Sequence, residues 1–109
     1  MEIDVRDGVS VVRVGKNQLR GKSSQRLLEE LLIEIAKIPV LVLDLAQASL
    51  VDSLGLGVLV KLAKVQKESD RRFAICGMTT NVRKTFTQLH LHKFIRVFQD
   101  SEHARKGLT

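Results

Sequence analysis

The chain has 109 residues, of which 44% are hydrophobic, and both values are ordinary for a single globular domain. Its one cysteine excludes an internal disulfide, and no apolar run approaches the roughly 20 residues that a membrane-spanning helix needs, so we expect a cytoplasmic protein without a signal peptide. The formal net charge of +6 is concentrated in residues 61–96, which hold nine basic and two acidic side chains. Our first interpretation of this excess is a solvated lysine face, and the second is a surface that binds an acidic partner or nucleic acid.

The first twenty residues predict a hairpin. Met1–Val5 and Val9–Val14 are rich in β-branched or alternating apolar residues, as strands are, and Asp7-Gly8 between them is a dipeptide typical of tight hairpin turns. Residues 15–22 are mostly polar and include two glycines, so we expect a loop there.

A helix is predicted next. Either Ser23 or Ser24 can cap it, because a serine hydroxyl accepts a hydrogen bond from an otherwise unpaired backbone N–H. Pro39 ends it at about Ile38, since the residue before a proline disfavours the helical conformation. The apolar residues that recur at helical spacing are Leu27, Leu28, Leu31, Leu32 and Ile35. The residues on the opposite, polar face are Glu29, Glu30, Glu34 and Lys37.

Val40–Leu45 is nearly continuous in apolar residues, which is typical of a strand that is buried on both faces. A second helix begins at Asp52-Ser53 and runs to about Glu68. Its core-facing side chains are Val58, Leu59, Leu62 and Val65, and its exposed lysines are Lys61, Lys64 and Lys67.

The remaining residues continue an alternation of strands and helices. Arg72–Cys76 predicts a third core strand, Asn81–Leu89 a short helix, Phe94–Phe98 a last strand and Ser101–Lys106 the start of a terminal helix. This order implies right-handed crossovers and a layered α/β domain.

The segment Val40–Val60 carries the most specific signal. A buried strand ends, a short loop follows, and the helix opens with Asp-Ser-Leu-Gly-Leu-Gly. A glycine in a helix is unfavourable by about 1 kcal/mol relative to alanine. We therefore expect another backbone, or another protein, to approach closely at Gly55 and Gly57.

This segment resembles the STAS domain of bacterial anti-sigma factor antagonists, whose signature here is Asp-Ser-(Ser/Thr)-Gly-Leu-Gly. Arg72–Met78, Val82–Phe86 and Leu89–Phe98 are similar to the last strand–helix–strand block of that family. The resemblance covers essentially the whole chain in the order of its elements. It implies one STAS domain over residues 1–109, in which a mixed sheet of four or five strands is covered by helices mainly on one side.

The resemblance also implies a partner switch that is not an enzyme and needs no cofactor. In the family, the serine that follows the aspartate, here Ser53, is phosphorylated by an anti-sigma factor that is a serine kinase of the histidine-kinase-like ATPase type. The unphosphorylated protein binds this kinase and frees the sigma factor for transcription. The phosphorylated protein cannot bind, and a phosphatase of the PP2C type resets it.

Helical geometry predicts a contact surface beside Ser53. Ser53, Gly57, Val60 and Lys64 lie along one face at spacings of three and four residues; we call this face the Ser53 stripe. A phosphate adds about −1.5 to −2 charges, which a helix N-terminus tolerates, so the penalty should fall on the complex and not on the fold. The neighbours that we also expect at the partner surface are Asp52, Leu54, Gly55 and Leu56.

The chain departs from the family pattern at two positions. Leu54 stands where the family usually has a second serine or threonine. The family commonly carries Gly-x-Leu-Asp in the loop after the second strand, whereas this loop has Arg20 after Leu19 and no aspartate. By correspondence with that loop, Asn17 and Arg20 are expected at the partner surface. The missing carboxylate keeps open a second hypothesis, a non-switching STAS subunit of a larger signalling assembly or of a lipid-transport complex.

The other candidate sites have ordinary structural interpretations. Ser53 could be only a helix cap, since serine is among the commonest residues there, and Asp52 could be only a charge that complements the start of the helix. His90 and His92 lack the further ligands that a metal site needs, so we expect no metal. Cys76 is interpreted as a buried small side chain in a strand. With no nucleophile beside a general base, the sequence predicts a non-enzyme.

Nucleic-acid binding is a third and less favoured hypothesis. The chain has no Tyr or Trp and only four Phe to stack on bases, although its basic residues could contact phosphates. The residues that would carry this binding are Lys61, Lys64, Lys67, Arg71, Arg72, Arg83 and Lys84.

Overall fold

The computed structural model describes residues 2–34 and 38–109, so Met1, Ile35 and Lys37, which the sequence analysis assigned to a strand and a helix, lie outside the described residues. The strands are β1 Glu2–Arg6, β2 Val9–Arg13, β3 Val40–Asp44, β4 Arg72–Cys76 and β5 Arg96–Phe98. The helices are α1 Gly21–Glu34, α2 Ser53–Glu68, α3 Thr80–Gln88 and α4 Ser101–Leu108, and a 3-10 turn spans Leu91–Lys93.

The five strands form one mixed sheet in the order β1-β2-β3-β4-β5. β1 pairs with β2 in the antiparallel sense, with Asp4 opposite Val11, and the other neighbouring strands are parallel. The turn between β1 and β2 has φ values of 52° at Asp7 and 77° at Gly8, the left-handed geometry that an Asp-Gly turn favours. The predicted hairpin is therefore confirmed.

Side chains of the sheet enter two hydrophobic cores. Leu41, Val42 and Leu43 of β3 are fully buried, which confirms a strand covered on both faces. The larger core joins alternate strand residues to α1, α2 and α3, and the smaller core joins the others to Ala104 and Leu108 of α4. Three helices thus cover one face of the sheet and α4 covers the other, as expected for the predicted mixed α/β fold. Among the helices of the described residues, none has the length and apolar character to cross a bilayer.

The start of α1 differs from the prediction. This helix begins at Gly21, so neither Ser23 nor Ser24 is its cap, and the hydroxyl of buried Ser24 donates to the carbonyl of Gly21 (2.6 Å). The serine-cap prediction was wrong because the N–H of Gly21 donates to the carboxylate of Asp52, 31 residues further along the chain (2.8 Å). Contact with a distant residue thus decides where the helix begins.

The last strand is also shorter than predicted. β5 begins at Arg96, and the 3-10 turn before it leaves Phe94 outside the sheet with 81% of its surface exposed. Phe94 was predicted to begin the last strand, and the 3-10 turn instead leaves it exposed to solvent. Ile95, its neighbour, is 2% exposed and joins the larger core.

Arg105 fastens α4 to the β1–β2 hairpin. Its side chain is only 11% exposed, and its guanidinium donates to the carbonyls of Asp4 (3.1 Å), Arg6 (3.1 Å) and Val9 (3.0 Å). The same guanidinium lies 3.3 Å from the carboxylate of Asp4. One buried cation therefore satisfies several backbone acceptors that methylene groups could not.

We predict that Arg105→Met lowers the free energy of unfolding by about 2–4 kcal/mol, because carbonyls that accept from a charged group lose their donor in a nearly dry site. Urea denaturation would measure this change. Lys106→Met is the matched control, since Lys106 is exposed, and it should change stability by less than about 0.5 kcal/mol. Equal effects of the two substitutions would contradict a structural role for the guanidinium.

Candidate functional site

The N-terminus of α2 is organised by the carboxylate of Asp52. Asp52 is the N-cap residue, and its Oδ1 accepts a hydrogen bond from the N–H of Gly55 (2.9 Å). Its Oδ2 accepts from the N–H of Gly21 at the start of α1 (2.8 Å). These two bonds, first that from Gly55 and then that from Gly21, hold the pKa of Asp52 below its usual value, although its carboxylate is exposed. One side chain thus caps one helix and anchors the start of another.

The loop after β2 packs directly on the first turn of α2. Leu19 is fully buried, and its carbonyl accepts from the N–H of Asp52 (3.3 Å). A Cβ atom built on Gly55 would lie 1.9 Å from that carbonyl oxygen and 2.7 Å from the carbonyl carbon. The expected close approach of another backbone is therefore confirmed at Gly55, and the backbone belongs to the chain itself.

Gly57 has a different environment. It is exposed, and a Cβ atom built on it would meet nothing within 4 Å in the described part of the chain. No contact within the domain explains a glycine at this helical position. The expectation that another protein approaches closely at Gly57 remains a prediction.

Ser53 is the first residue of α2, and it is exposed. Because Asp52 caps the helix, the hydroxyl of Ser53 is not used as a cap, and it makes no hydrogen bond within the residues that the structure describes. The interpretation of Ser53 as only a helix cap is therefore wrong. The hydroxyl lies at the surface, where a modifying enzyme could reach it.

The rest of the Ser53 stripe is also at the surface. Gly57, Val60 and Lys64 are exposed, and Val60 exposes 43% of its surface to water. Leu54, at the position where the resembling family has a polar residue, is 59% exposed. α2 thus presents a continuous face that combines a hydroxyl, apolar side chains and a cation.

Two predicted contact residues do not share that surface. Leu56 is 9% exposed and packs in the larger core, and Gly55 is buried against the backbone of Leu19. Their expected part in a partner surface needs correction, because neither offers a side chain to a partner. They position the exposed residues beside them.

The β2–α1 loop contributes exposed polar residues at the same end of the domain. Asn17 and Arg20 are both exposed. Arg20 lines a shallow depression together with Leu50, Val51 and Asp52, so its cationic side chain lies beside the start of α2. The sequence analysis missed the link between this loop and Asp52, which no local pattern indicates because the bonded residues are far apart in sequence.

The cysteine, the histidines and the basic residues considered in the sequence analysis do not form a common site in the described part of the chain. Burial, followed by the negative charges of Asp44 and Asp100, raises the pKa of the Cys76 thiol to about 12, so the thiol is protonated at neutral pH and packs in the smaller core. The rings of His90 and His92 lie 6.2 Å apart, and within residues 2–34 and 38–109 no cluster of three potential metal ligands occurs. The basic residues proposed for nucleic acid are partly engaged, since Arg72 donates to the carbonyl of Leu108 (2.9 Å).

Comparison with known proteins matches the STAS domain family model to residues 1–104. TM1081 of Thermotoga maritima, a candidate anti-sigma factor antagonist, is 16% identical with a TM-score of 0.85, over 97% of this chain and 92% of that chain. A serine-to-glutamate variant of RsbS from Moorella thermoacetica is 22% identical with a TM-score of 0.83, over 98% of this chain and 92% of that chain. A chain of the stressosome, described as a signal integration and transduction hub, is 23% identical with a TM-score of 0.81, over 98% of this chain and 95% of that chain. These likenesses support the fold.

We predict opposite effects of adding one methyl group at the two glycines of α2. Gly55→Ala should destabilise the domain by at least about 1–3 kcal/mol, because the new Cβ meets the backbone of Leu19. Gly57→Ala, in open space on the same helix, should stabilise it by about 0.5–1 kcal/mol through helix propensity. Urea denaturation of both variants tests this pair, and a loss of stability in Gly57→Ala would contradict it.

The capping carboxylate predicts a pH dependence. The folded-state pKa of Asp52 is lower than its unfolded value of 3.8, so its stabilisation is fully present above that value and is lost as the pH falls through the folded pKa. Asp52→Asn should therefore be less stable than wild type at neutral pH, since its NH2 group replaces one of the two oxygens that accept from Gly55 and Gly21, and the difference should shrink below about pH 4. Denaturation at pH 3 to 7 measures it. Glu29→Gln, an exposed acid on α1, should show no such trend.

Proposed function

This chain belongs to the STAS domain family, and on that basis we propose that it is an anti-sigma factor antagonist that acts by partner switching in the cytoplasm. In its unphosphorylated form it binds an anti-sigma factor, a serine kinase of the histidine-kinase-like ATPase type. Phosphorylation of Ser53 releases the kinase, and a phosphatase of the PP2C type reverses the modification. The protein itself is a binding module that performs no catalysis and needs no cofactor.

The observation that carries this proposal is the exposed hydroxyl of Ser53 beside a helix cap that does not depend on it. The carboxylate of Asp52 accepts a hydrogen bond from the N–H of Gly55 in the first turn of α2 and another from the N–H of Gly21 at the start of α1. The Ser53 hydroxyl therefore contributes nothing to the fold that a phosphate would remove. This separation of the modified group from the structural group is what a reversible switch needs.

The energetic consequence of phosphorylation differs between the free protein and the complex. In the free protein, a phosphate at the first residue of α2 lies in water and near the positive end of the helix dipole, so the fold tolerates it. In a complex, the same dianion would be buried against the partner, next to the carboxylate of Asp52. Burying an unpaired charge costs several kcal/mol, which is enough to prevent binding.

The proposed partner surface is the Ser53 stripe together with Leu54 and the loop residues Asn17 and Arg20. Gly57 has no Cβ, so a partner backbone can approach α2 closely at that point. Val60 and Leu54 supply apolar contact area, and Lys64 and Arg20 favour a partner with acidic side chains. The names of the similar structures, an anti-sigma factor antagonist, RsbS and the stressosome, are consistent with this assignment.

Arg20 favours a second candidate function, a non-switching STAS subunit. The resembling family commonly has an aspartate in this loop, and here a cation lines the depression beside Asp52 instead. A kinase that needs the carboxylate would not phosphorylate Ser53. The chain would then bind its partner constitutively within a larger signalling assembly or a lipid-transport complex.

We predict that Ser53→Asp leaves the melting temperature nearly unchanged and weakens binding of the cognate kinase by at least about 100-fold, because a buried carboxylate costs several kcal/mol. Isothermal titration calorimetry with the kinase encoded nearest to this gene measures the affinity. Ser101→Asp is a matched control, since Ser101 also follows an aspartate N-cap, Asp100, but starts α4 on the opposite face of the sheet. It should bind as wild type does. If Ser53→Asp binds equally well, Ser53 is not the switch.

Phosphorylation itself separates the two candidate functions. Incubation with the kinase and ATP should add one phosphate to the peptide that contains Ser53, as mass spectrometry detects, and a PP2C-type phosphatase should remove it. Ser53→Ala should remain unmodified and stay bound to the kinase. A stable complex with no phosphate on wild type would favour the non-switching subunit.

A further inference from the structure

A basic apolar groove lies between α2 and the segment that precedes β5. Its volume is about 320 Å³, and it is lined by Val60, Ala63, Lys64, Lys67, Lys93 and Phe94, among other residues; we call it the basic groove. Phe94 lines it with 81% of its surface exposed, although phenylalanine is among the residues most often buried. The combination of an exposed aromatic side chain and three lysines indicates an occupant that is both apolar and acidic.

An apolar and acidic surface exists elsewhere on the same chain. Ile3 of β1 and Glu30, Ile33 and Glu34 of α1 line a depression at the other end of the helical layer; we call it the acidic patch. Ile33 is 74% exposed, although isoleucine is among the residues most often buried. The acidic patch therefore supplies both the carboxylates and the apolar side chains that the basic groove would bind.

The charged groups of both surfaces are available for new contacts. In the part of the chain that the structure describes, none of the lysines of the basic groove and neither glutamate of the acidic patch has an ion-pair partner within 4.0 Å. Glu30 and Glu34 are one helical turn apart on α1, and Lys64 and Lys67 are one turn apart on α2, so both pairs have a similar spacing of about 5–6 Å. Two carboxylates can thus meet two ammonium groups in register.

We propose that this protein associates with a second copy of itself, the acidic patch of one molecule docking on the basic groove of the next. Phe94 of one copy packs against Ile3 and Ile33 of the other, while the two glutamates face the lysines around the groove. The interface is heterologous, because two different surfaces meet. Each pair of molecules therefore still has one free acidic patch and one free basic groove, so further copies can add head to tail. A contact made by so few residues is weak, and because it joins lysines to glutamates it depends on ionic strength.

This association does not depend on the proposed switch, but the two would compete. Val60 and Lys64 belong both to the basic groove and to the Ser53 stripe. A molecule whose groove is occupied by a second copy could not present the stripe to a kinase. Lys67, Lys93 and the acidic patch lie outside the stripe, so variants at those positions test self-association without altering Ser53 or its neighbours on the stripe.

The test is a charge-swap experiment by sedimentation velocity. Wild type should sediment faster as its concentration rises from about 20 µM to 1 mM in low salt, and the effect should disappear in about 0.5 M salt. Glu30→Lys/Glu34→Lys, which reverses the acidic patch, and Lys67→Glu/Lys93→Glu, which reverses the basic groove, should each weaken association by at least about tenfold. An equimolar mixture of the two variants should associate again, because each supplies the surface that the other has lost.

Matched controls separate this interface from a general effect of net charge. Glu29→Lys/Glu68→Lys and Arg83→Glu/Lys84→Glu make the same charge changes at exposed positions outside both surfaces, and both should associate as wild type does. Wild type that remains monomeric throughout the range would overturn the proposal. Dissociation of the controls, or no association in the mixture of swapped variants, would overturn it as well. Kinase binding by the Ser53 variants is a separate measurement, so the two proposals can fail independently.

Discussion

The carboxylate of Asp52 is the contact on which the candidate site depends. It accepts hydrogen bonds from the N–H groups at the starts of two helices, Gly55 in α2 and Gly21 in α1, and so ties the β2–α1 loop to α2. The close approach of Leu19 to Gly55 completes this junction, which tolerates no side chain at the glycine. An aspartate and a glycine three residues apart are thus one structural unit, although each has an ordinary local explanation.

This unit leaves Ser53 without a structural task. Where a helix lacks another cap, a serine at its start is often needed for stability, and its modification would disturb the fold. Here the neighbouring aspartate takes that role, so the phosphorylation that we propose at Ser53 would leave the cap of α2 intact. The same division of tasks occurs along α2, where Leu56 packs in the core and Leu54, two residues earlier, is exposed. Exposed residues and buried residues thus lie next to each other in the first turns of α2.

The domain exposes apolar side chains on two separate surfaces, and the charged residues around them are of opposite sign. Two of the most exposed hydrophobic side chains, Phe94 and Ile33, lie beside lysines in one case and beside glutamates in the other. Only Phe94 carried a prediction, since the strand pattern placed it in the sheet; the helical pattern assigned Glu30 and Glu34 to the polar face of α1 and gave them no function. Packing of the 3-10 turn, which exposes Phe94, is a tertiary effect that hydrophobic periodicity does not contain.

The sequence by itself determined the α/β order, the centre of the sheet and the bounds of α2, because continuous apolar runs and helical periodicity depend only on neighbouring residues. It also indicated Ser53, through a motif of six adjacent residues. Only the tertiary structure decided where α1 begins, which group caps α2 and why Gly55 but not Gly57 is required by the fold. The cap of α2 is a local contact between Asp52 and Gly55, which the structure decides by keeping Asp52 extended and making Ser53 the first helical residue. The start of α1 and the need for Gly55 depend instead on contacts between segments about thirty residues apart, which become neighbours only when the parallel strands β2 and β3 bring the loops that follow them together at one end of the sheet.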